Sequence, residues 1–321
     1  MNILITGIAG FIGFNFGNTL LKKNKNIKII GIDNLNSYYS TRLKKKRLQY
    51  LKNNKNFKFL KIDLKNKNKL QRIFTKYKFT EVYNFAAQAG VRYSSVNPDA
   101  YISSNIVGFS NIIFLCMKNK VKKLFYASSS SIYGDVSKYP IKENINLDPK
   151  NLYGLTKKYN EELAKFYFEN FNYSSIGLRF FTVFGEWGRP DMFIYKLLNA
   201  AYKGKKFNLN NNGNHYRDFT YIVDVITILS KLRIANLKKG FHTFNICSNK
   251  PLGLNKIIKF YKNKIPKTKI ILKPKLPEDI FKTHGDNRKI KKIIKKLRFT
   301  DTKSSLNNTL RWFKENHKMF N

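Results

Sequence analysis

Near its start the chain carries a short apolar run, Asn2 to Thr6, then Gly7-Ile8-Ala9-Gly10-Phe11-Ile12-Gly13, then an amphipathic stretch, Phe11 to Lys23. A G-x-x-G-x-x-G loop wedged between a strand and a helix leaves few folds open. Its glycines allow a tight turn, close approach of the backbone to a pyrophosphate and close packing of helix on strand, while free amides at the helix start face the anion. The expected fold class is therefore α/β, a Rossmann-type doubly wound parallel sheet with a smaller mixed α/β C-terminal domain.

The rest of the first half follows that rule by alternating β-branched runs with helical patterns. Strands are expected at Asn2 to Thr6, Ile27 to Ile32, Phe57 to Ile62, Glu81 to Phe85, Lys123 to Ala127 and Ser175 to Leu178. Helices are expected at Phe11 to Lys23, Thr41 to Lys52, Lys67 to Lys76, Ala100 to Asn119 and Tyr153 to Asn170. Beyond Arg179 the spacing loosens into helices at Asp191 to Lys203 and Val223 to Ala235, a hairpin over Asn211-Asn212-Gly213, and terminal helices near Asn287 to Lys296 and Ser304 to Asn316. Residues 1–178 read as a dinucleotide-binding domain. Residues 179–321 read mainly as a substrate domain, with segments of about 219–248 returning to the first.

The second strand ends in Gly31-Ile32-Asp33, where a carboxylate can bind both adenosine ribose hydroxyls and repel a 2′-phosphate. NAD is the cofactor this implies, with Phe11, Ile12 and Asn34 beside the loop and the acid. Asp63 and Leu64 follow the third strand, where Asp63 either meets the adenine amine or starts a helix. Ala86-Ala87-Gln88 follows the fourth and would line the cofactor's path.

Tyr153 and Lys157 open a helix one turn apart, on one face. A free tyrosine has a pKa of about 10 and is a poor base at neutral pH. A neighbouring ammonium and the positive nicotinamide stabilise its phenolate and make it a usable general base. Upstream, Ser128-Ser129-Ser130-Ser131 ends the fifth strand, where hydroxyls can orient a sugar hydroxyl toward Tyr153.

Composition tempers other readings. With 62 Lys plus Arg against 19 Asp plus Glu the net charge is +43, which elsewhere would indicate nucleic acid. Here the lysines are spread along the chain with asparagine, as in Lys65-Asn66-Lys67-Asn68-Lys69, and read as solvated faces. Nucleic acid is not expected as a partner. Two cysteines lack metal spacing, so no metal is expected and reduced thiols follow. No apolar run reaches the roughly 18 residues of a membrane helix, and the first residues lack a basic leader. A cytoplasmic protein that does not engage membranes is the expectation.

Together these residues resemble the extended short-chain dehydrogenase/reductase family, specifically its nucleotide-sugar epimerases. The likeness is sharpest in Gly31 to Asn36, Ala86 to Ser94, Leu178 to Gly185, Trp187-Gly188-Arg189-Pro190-Asp191-Met192 and Arg217-Asp218-Phe219-Thr220-Tyr221, a set similar to the UDP-glucuronate 4-epimerases. The resemblance implies an isomerase that retains NAD, with Tyr153, Lys157 and Ser129 catalytic and a UDP-sugar bound by Arg92, Ser129, Ser130, Ser131, Thr182, Arg189, Arg217 and Asp279. At the last of these the chain reads Pro277-Glu278-Asp279 where relatives have a glycine before the aspartate. The resemblance also implies a homodimer through the helices Ala100 to Asn119 and Tyr153 to Asn170, and a place in polysaccharide synthesis. Related 4,6-dehydratases carry an Asp-Glu pair where this chain has Ser130 and Ser131, so elimination of water is disfavoured. A UDP-glucose/galactose 4-epimerase and a UDP-glucuronate decarboxylase remain alternatives, as does an inert basic nucleotide- or nucleic-acid-binding protein.

If Asp33 meets the adenosine ribose, cofactor released by denaturing the protein should be NAD. Recovery of mainly NADP would show that the acid points elsewhere.

Overall fold

A computed structural model describes residues 1–276 and 280–320. In chain order the N-terminal half runs β1 (Asn2–Thr6), α1 (Phe11–Lys23), β2 (Lys28–Asp33), α2 (Thr41–Lys52), β3 (Phe57–Lys61), α3 (Lys67–Tyr77), β4 (Glu81–Asn84), two short helices α4 (Tyr93–Val96) and α5 (Pro98–Tyr101), a π-helical turn (Ile102–Val107), α6 (Gly108–Lys118), β5 (Lys123–Ser129), α7 (Leu152–Phe171) and β6 (Ser175–Phe180). The rest comprises β7 (Thr182–Phe184), α8 (Phe193–Tyr202), β8 (Lys206–Asn210), β9 (Tyr216–Tyr221), α9 (Ile222–Ile234), β10 (Phe241–Ile246), β11 (Pro251–Gly253), α10 (Leu254–Lys264), β12 (Lys269–Lys273), α11 (Arg288–Ile293) and α12 (Thr302–Asn316).

Seven strands form one parallel sheet in the order β3-β2-β1-β4-β5-β6-β10. Strand order reverses between β1 and β4, which opens a crevice at their carboxyl ends. Both faces are covered. One face packs Phe14, Phe16, Leu20, Ile228 and Leu229 against Ile3 and Ile5, and the other packs Leu70, Phe74, Ile112 and Leu115 against Leu4 and Val82. Near-continuous apolar strands such as Ile3-Leu4-Ile5 are the signature of a sheet buried on both sides.

Local sequence sets the helix starts. Ser40, Asn66, Asn151 and Asp301 each accept the amide of a residue three positions on, from Leu43, Lys69, Gly154 and Ser304. At α1 the position is held by Gly10, which has no side chain to offer, so the first-turn amides are uncapped beside the crevice.

The hairpin expected over Asn211-Asn212-Gly213 does not form. Those residues make a single 3₁₀ turn, after which β8 pairs in parallel with β12 and β9 pairs with β7 and β11. Asn-Gly set the turn, but the partners of both strands come from distant sequence. The helix expected at Ala100 to Asn119 is a run from Pro98 broken by a π-helical turn, and β10 and α10 had no counterpart among the expected elements. By length and composition the 21-residue run Pro98–Lys118 is apolar enough to cross a membrane, although no single stretch of it is uninterruptedly apolar. Its Tyr101, Phe109, Ile112, Ile113, Leu115 and Cys116 are buried against the sheet and α7, which accounts for the apolarity.

Helix α9 lies on α1, and its Ile228 is fully buried in the core that both helices share. Ile228→Ala should cost about 2–5 kcal/mol, read as a lower denaturation midpoint. A loss well under 1 kcal/mol would show that this contact does not hold the C-terminal half on the sheet.

Candidate active site

One cleft of about 1060 Å³ runs along the carboxyl edge of the sheet and under the segments that follow β7. Every residue singled out from the sequence lines it except Asp279, which lies outside the described residues.

At its floor is the glycine loop. Gly7 takes φ +64°, and a Cβ there would stand 2.7 Å from the Ala86 amide nitrogen. A Cβ on Gly13 would stand 2.4 Å from the Gly7 carbonyl oxygen. These two positions therefore exclude side chains, and the space above them fits a dinucleotide backbone. Asp33 accepts the Ala9 amide at 3.2 Å and the Leu35 amide at 2.8 Å. Burial raises its pKa, opposed by those amides and by Lys44. Asp63 accepts Asn34 Nδ2 at 3.0 Å and the Lys65 amide at 3.0 Å, and the cap of α3 is Asn66 instead. On the opposite wall Gln88 is fixed by Asn105, which accepts its amide at 2.8 Å and donates to its carbonyl at 3.0 Å. Asn105 also donates to Thr156 Oγ1 at 3.0 Å, tying this wall to α7. Gly10, Phe11, Ile12, Leu64, Ala86 and Ala87 complete the dinucleotide-shaped half.

Tyr153 and Lys157 project from the first turns of α7, with the Lys157 ammonium 5.9 Å from the Tyr153 ring centre. Lys157 Nζ donates to the Ala127 carbonyl at 2.8 Å. Burial lowers its pKa to about 7, with the Glu161 carboxylate opposing. Burial raises the pKa of Tyr153, and a hydrogen bond from Ser129 and the charge of Arg189 pull it back down. Ser129 Oγ also accepts the Ser131 amide at 3.1 Å, which fixes the strand exit. Ser130, Ser131 and Thr182 lie partly exposed along the same wall.

Arg189 forms a bidentate pair with Asp191, its Nε standing 3.0 Å from Oδ1. Burial opposes the Arg189 charge, but the Asp191 carboxylate more than offsets it. Tyr38 donates to Asp191 Oδ2 at 3.1 Å, and burial together with Asp191 pushes its pKa up to about 12. Arg217 donates to the Tyr216 and Phe281 carbonyls at 2.9 and 3.1 Å. Arg92 is exposed at the rim.

Sequence reasoning missed several lining residues, among them Asn36, Tyr38, Lys44, Asp191 and Lys196. Lys44 sits in the run Lys44-Lys45-Lys46-Arg47, among the dispersed lysines that read together as solvated. Lys44 is only 5% exposed and donates to the Asn36 carbonyl and Oδ1 at 2.7 and 2.8 Å. Arg47 is fully buried, donating to the Ala9 carbonyl and Tyr39 hydroxyl, both at 2.8 Å, and to the Trp187 and Gly188 carbonyls. The helical phase of Lys44 and Arg47 with Leu43, Leu48 and Leu51 was the available signal, hidden by the surrounding lysines.

Comparison with known proteins gives the same picture. The NAD-dependent epimerase/dehydratase family matches residues 3–247. A UDP-glucuronate 4-epimerase of Thermodesulfobacterium geofontis is 38% identical over 317 residues, covering 98% of this chain and 96% of that protein. UDP-glucuronate 4-epimerase 4 of Arabidopsis thaliana is 34% identical over 331 residues, covering 98% of this chain and 75% of that protein. Among solved structures, the Bacillus cereus UDP-glucuronic acid 4-epimerase in complex with UDP-glucuronic acid and NAD superposes with a TM-score of 0.92 at 28% identity, covering 98% of this chain and 99% of that one. On the family match, the identity to these relatives and the shared fold, this chain belongs to the NAD-dependent epimerase/dehydratase family, in its extended short-chain dehydrogenase/reductase branch of nucleotide-sugar epimerases.

Proposed function

We propose that this chain is an isomerase that converts UDP-glucuronate to UDP-galacturonate by 4-epimerisation, with NAD retained through turnover. The observation that carries the reading is the meeting, in one cleft, of the glycine cradle, the Tyr153-Lys157-Ser129 group and the arginines 189 and 217. When bound, NAD supplies the hydride acceptor and donor at C4 of the sugar. Tyr153 takes the C4 hydroxyl proton at its phenolic oxygen and gives it back at the end of the cycle. The Ser129 hydroxyl and the Arg189 charge offset the cost that burial adds to the phenolate, and the Lys157 ammonium is assigned to stabilise it further. Arg217 grips the diphosphate and Arg189 an anionic group of the substrate, since guanidinium forks suit both phosphate and carboxylate. Arg92 and Asp279 complete the substrate set by resemblance.

Substrate choice has a chemical constraint. Oxidation at C4 places a ketone β to the C6 carboxylate, and such an acid loses CO₂ when its breaking bond aligns with the carbonyl π system. Ser130, Ser131 and Thr182 are the hydroxyls offered to hold the carboxylate out of alignment. The two positions that carry an Asp-Glu pair in the related dehydratases are Ser130 and Ser131 here, which disfavours elimination of water.

The same proposal divides the chain into an NAD-binding part, 1–178, and a mainly UDP-sugar-binding part, 179–321. It includes a homodimer. Ile102 and Val107 on the Pro98–Lys118 run and Leu155, Tyr159 and Phe166 on α7 are all exposed, an apolar face that a second copy would cover. A cytoplasmic location accords with Cys116 and Cys247, which are buried and form no disulfide, and a place in polysaccharide synthesis rests on the resemblance alone.

Incubation of purified protein with UDP-glucuronate and separation of products tests the reading. UDP-galacturonate is expected. A UDP-pentose with CO₂ would make it a decarboxylase, and action on UDP-glucose alone a neutral-sugar epimerase. Tyr153→Phe should reduce turnover by at least about 10²-fold while bound NAD persists, and a near wild-type rate would remove Tyr153 from the mechanism. Thr182→Val should slow epimerisation and divert part of the substrate to a UDP-pentose. A slower variant still forming only UDP-galacturonate would show that Thr182 does not restrain the carboxylate.

A further inference from the structure

Behind the Tyr153-Lys157 face of α7 lies a buried polar cluster that none of the proposed roles uses. Glu161 stands one helical turn beyond Lys157 and is 2% exposed. Its Oε1 accepts the Ser128 hydroxyl at 2.5 Å and Arg179 Nε at 3.0 Å, and its Oε2 accepts Arg179 Nη2 at 2.6 Å. Arg179, on β6, also donates to the Tyr133 hydroxyl at 2.9 Å and to the Glu143 carbonyl at 2.8 Å. Tyr133 in turn donates to Asn245 Oδ1 at 2.5 Å on β10. The cluster joins α7 to β5, β6 and β10.

Two features separate this cluster from simple filling. A buried ion pair replaced by apolar groups is often no less stable, so stability alone is a weak reason for it. Its position is the stronger reason. Ser128 adjoins both Ala127, whose carbonyl holds Lys157 Nζ, and Ser129, which bonds Tyr153. A carboxylate anchored at Ser128 therefore fixes the strand exit that presents both catalytic partners.

We infer that Glu161 is a positioning residue for Lys157: held by Ser128 and Arg179, it seats α7 on the sheet and supplies the negative charge that keeps the Lys157 ammonium charged in a dry site. This rests on the epimerase reading, in which a charged Lys157 stabilises the Tyr153 phenolate. Several groups face this region. On α7 they are Tyr153 and Glu161; on β5, Ser129 and Tyr126; on β6, Arg179; after β5, Tyr133; on α5, Tyr101, whose ring lies 6.2 Å from that of Tyr153; beyond β7, Arg189. From the far side of the cluster, Glu143 and Lys289 face Arg179 and Glu161. Among the described residues Glu161 is the carboxylate whose field acts on Lys157, where it opposes the desolvation that lowers the lysine's pKa.

The sign follows directly. Lys157 is charged below its pKa, so loss of the Glu161 charge, with Arg179 left behind, discharges it at lower pH. In holoenzyme carrying Glu161→Gln, the alkaline limb of the kcat profile should move down by at least about one pH unit, a tenfold change in charged Lys157 at fixed pH on that limb. KM and bound NAD should change little. The charge-balanced Glu161→Gln/Arg179→Met variant should lie between the single variant and wild type. If only the double variant folds, a limb coincident with wild type overturns the inference. So does a single variant with a lower melting temperature and an unmoved profile. The Lys157 titration is read independently of turnover by NMR of lysine-labelled holoenzyme, assigned with Lys157→Met. A shifted titration in protein that does not epimerise UDP-glucuronate supports the Glu161 role and rejects the substrate. An unshifted one in active protein does the reverse.

Discussion

Parallel pairing of all seven strands is the constraint on which the rest depends. Each strand must return through a crossover, so every strand delivers its carboxyl end, and the loop that follows, to one edge. Between β1 and β4 the strand order turns outward in both directions, and the two loops there part to leave a crevice. The glycine loop after β1 fits only because it touches the backbone after β4, with Gly7 against Ala86. The serines after β5 and Thr182 after β6 reach the same edge by the same rule. The cleft is thus a result of topology, and its chemistry depends on which side chains stand at strand ends.

Charge is distributed by a second rule. In a chain with 62 cationic residues and 19 acids, acids are scarce. Several of them are turned inward to partner a cation: Glu161 with Arg179, Asp191 with Arg189, and Glu81 with Arg233, whose Nε stands 2.8 Å away. Each brings together elements far apart in sequence or orders a loop at the cleft. The outer surface is left basic as a remainder.

The sheet was legible because its determinants are local: a β-branched run, a turn and an amphipathic helix repeat five times before the sixth strand. The glycine loop, Asp33 and the Tyr153-Lys157 pair were legible for a related reason, since each works at a fixed spacing from a strand end. The smaller lobe resisted. Its β8 and β12 pair across about 60 residues and β9 finds β7 and β11 more than 30 positions away, and a local Asn-Gly turn cannot reveal such distant neighbours. Lys44 and Arg47 resisted differently, because burial of a cation is decided by acceptors, among them the Trp187 and Gly188 carbonyls, that no local pattern encodes.

Arg47 also bears on how the chain becomes a protein. Two of its hydrogen bonds end on Ala9 and Tyr39, made early in synthesis, and two end on Trp187 and Gly188, the first of these 140 positions later. A buried guanidinium lacking half its acceptors is costly. The segment of chain that cradles the dinucleotide therefore draws part of its interior from the second half. Until the second half has emerged and supplied those carbonyls, the first can form its strands but cannot close its own interior, and cutting the chain at the lobe boundary would leave a nucleotide site with an exposed seam.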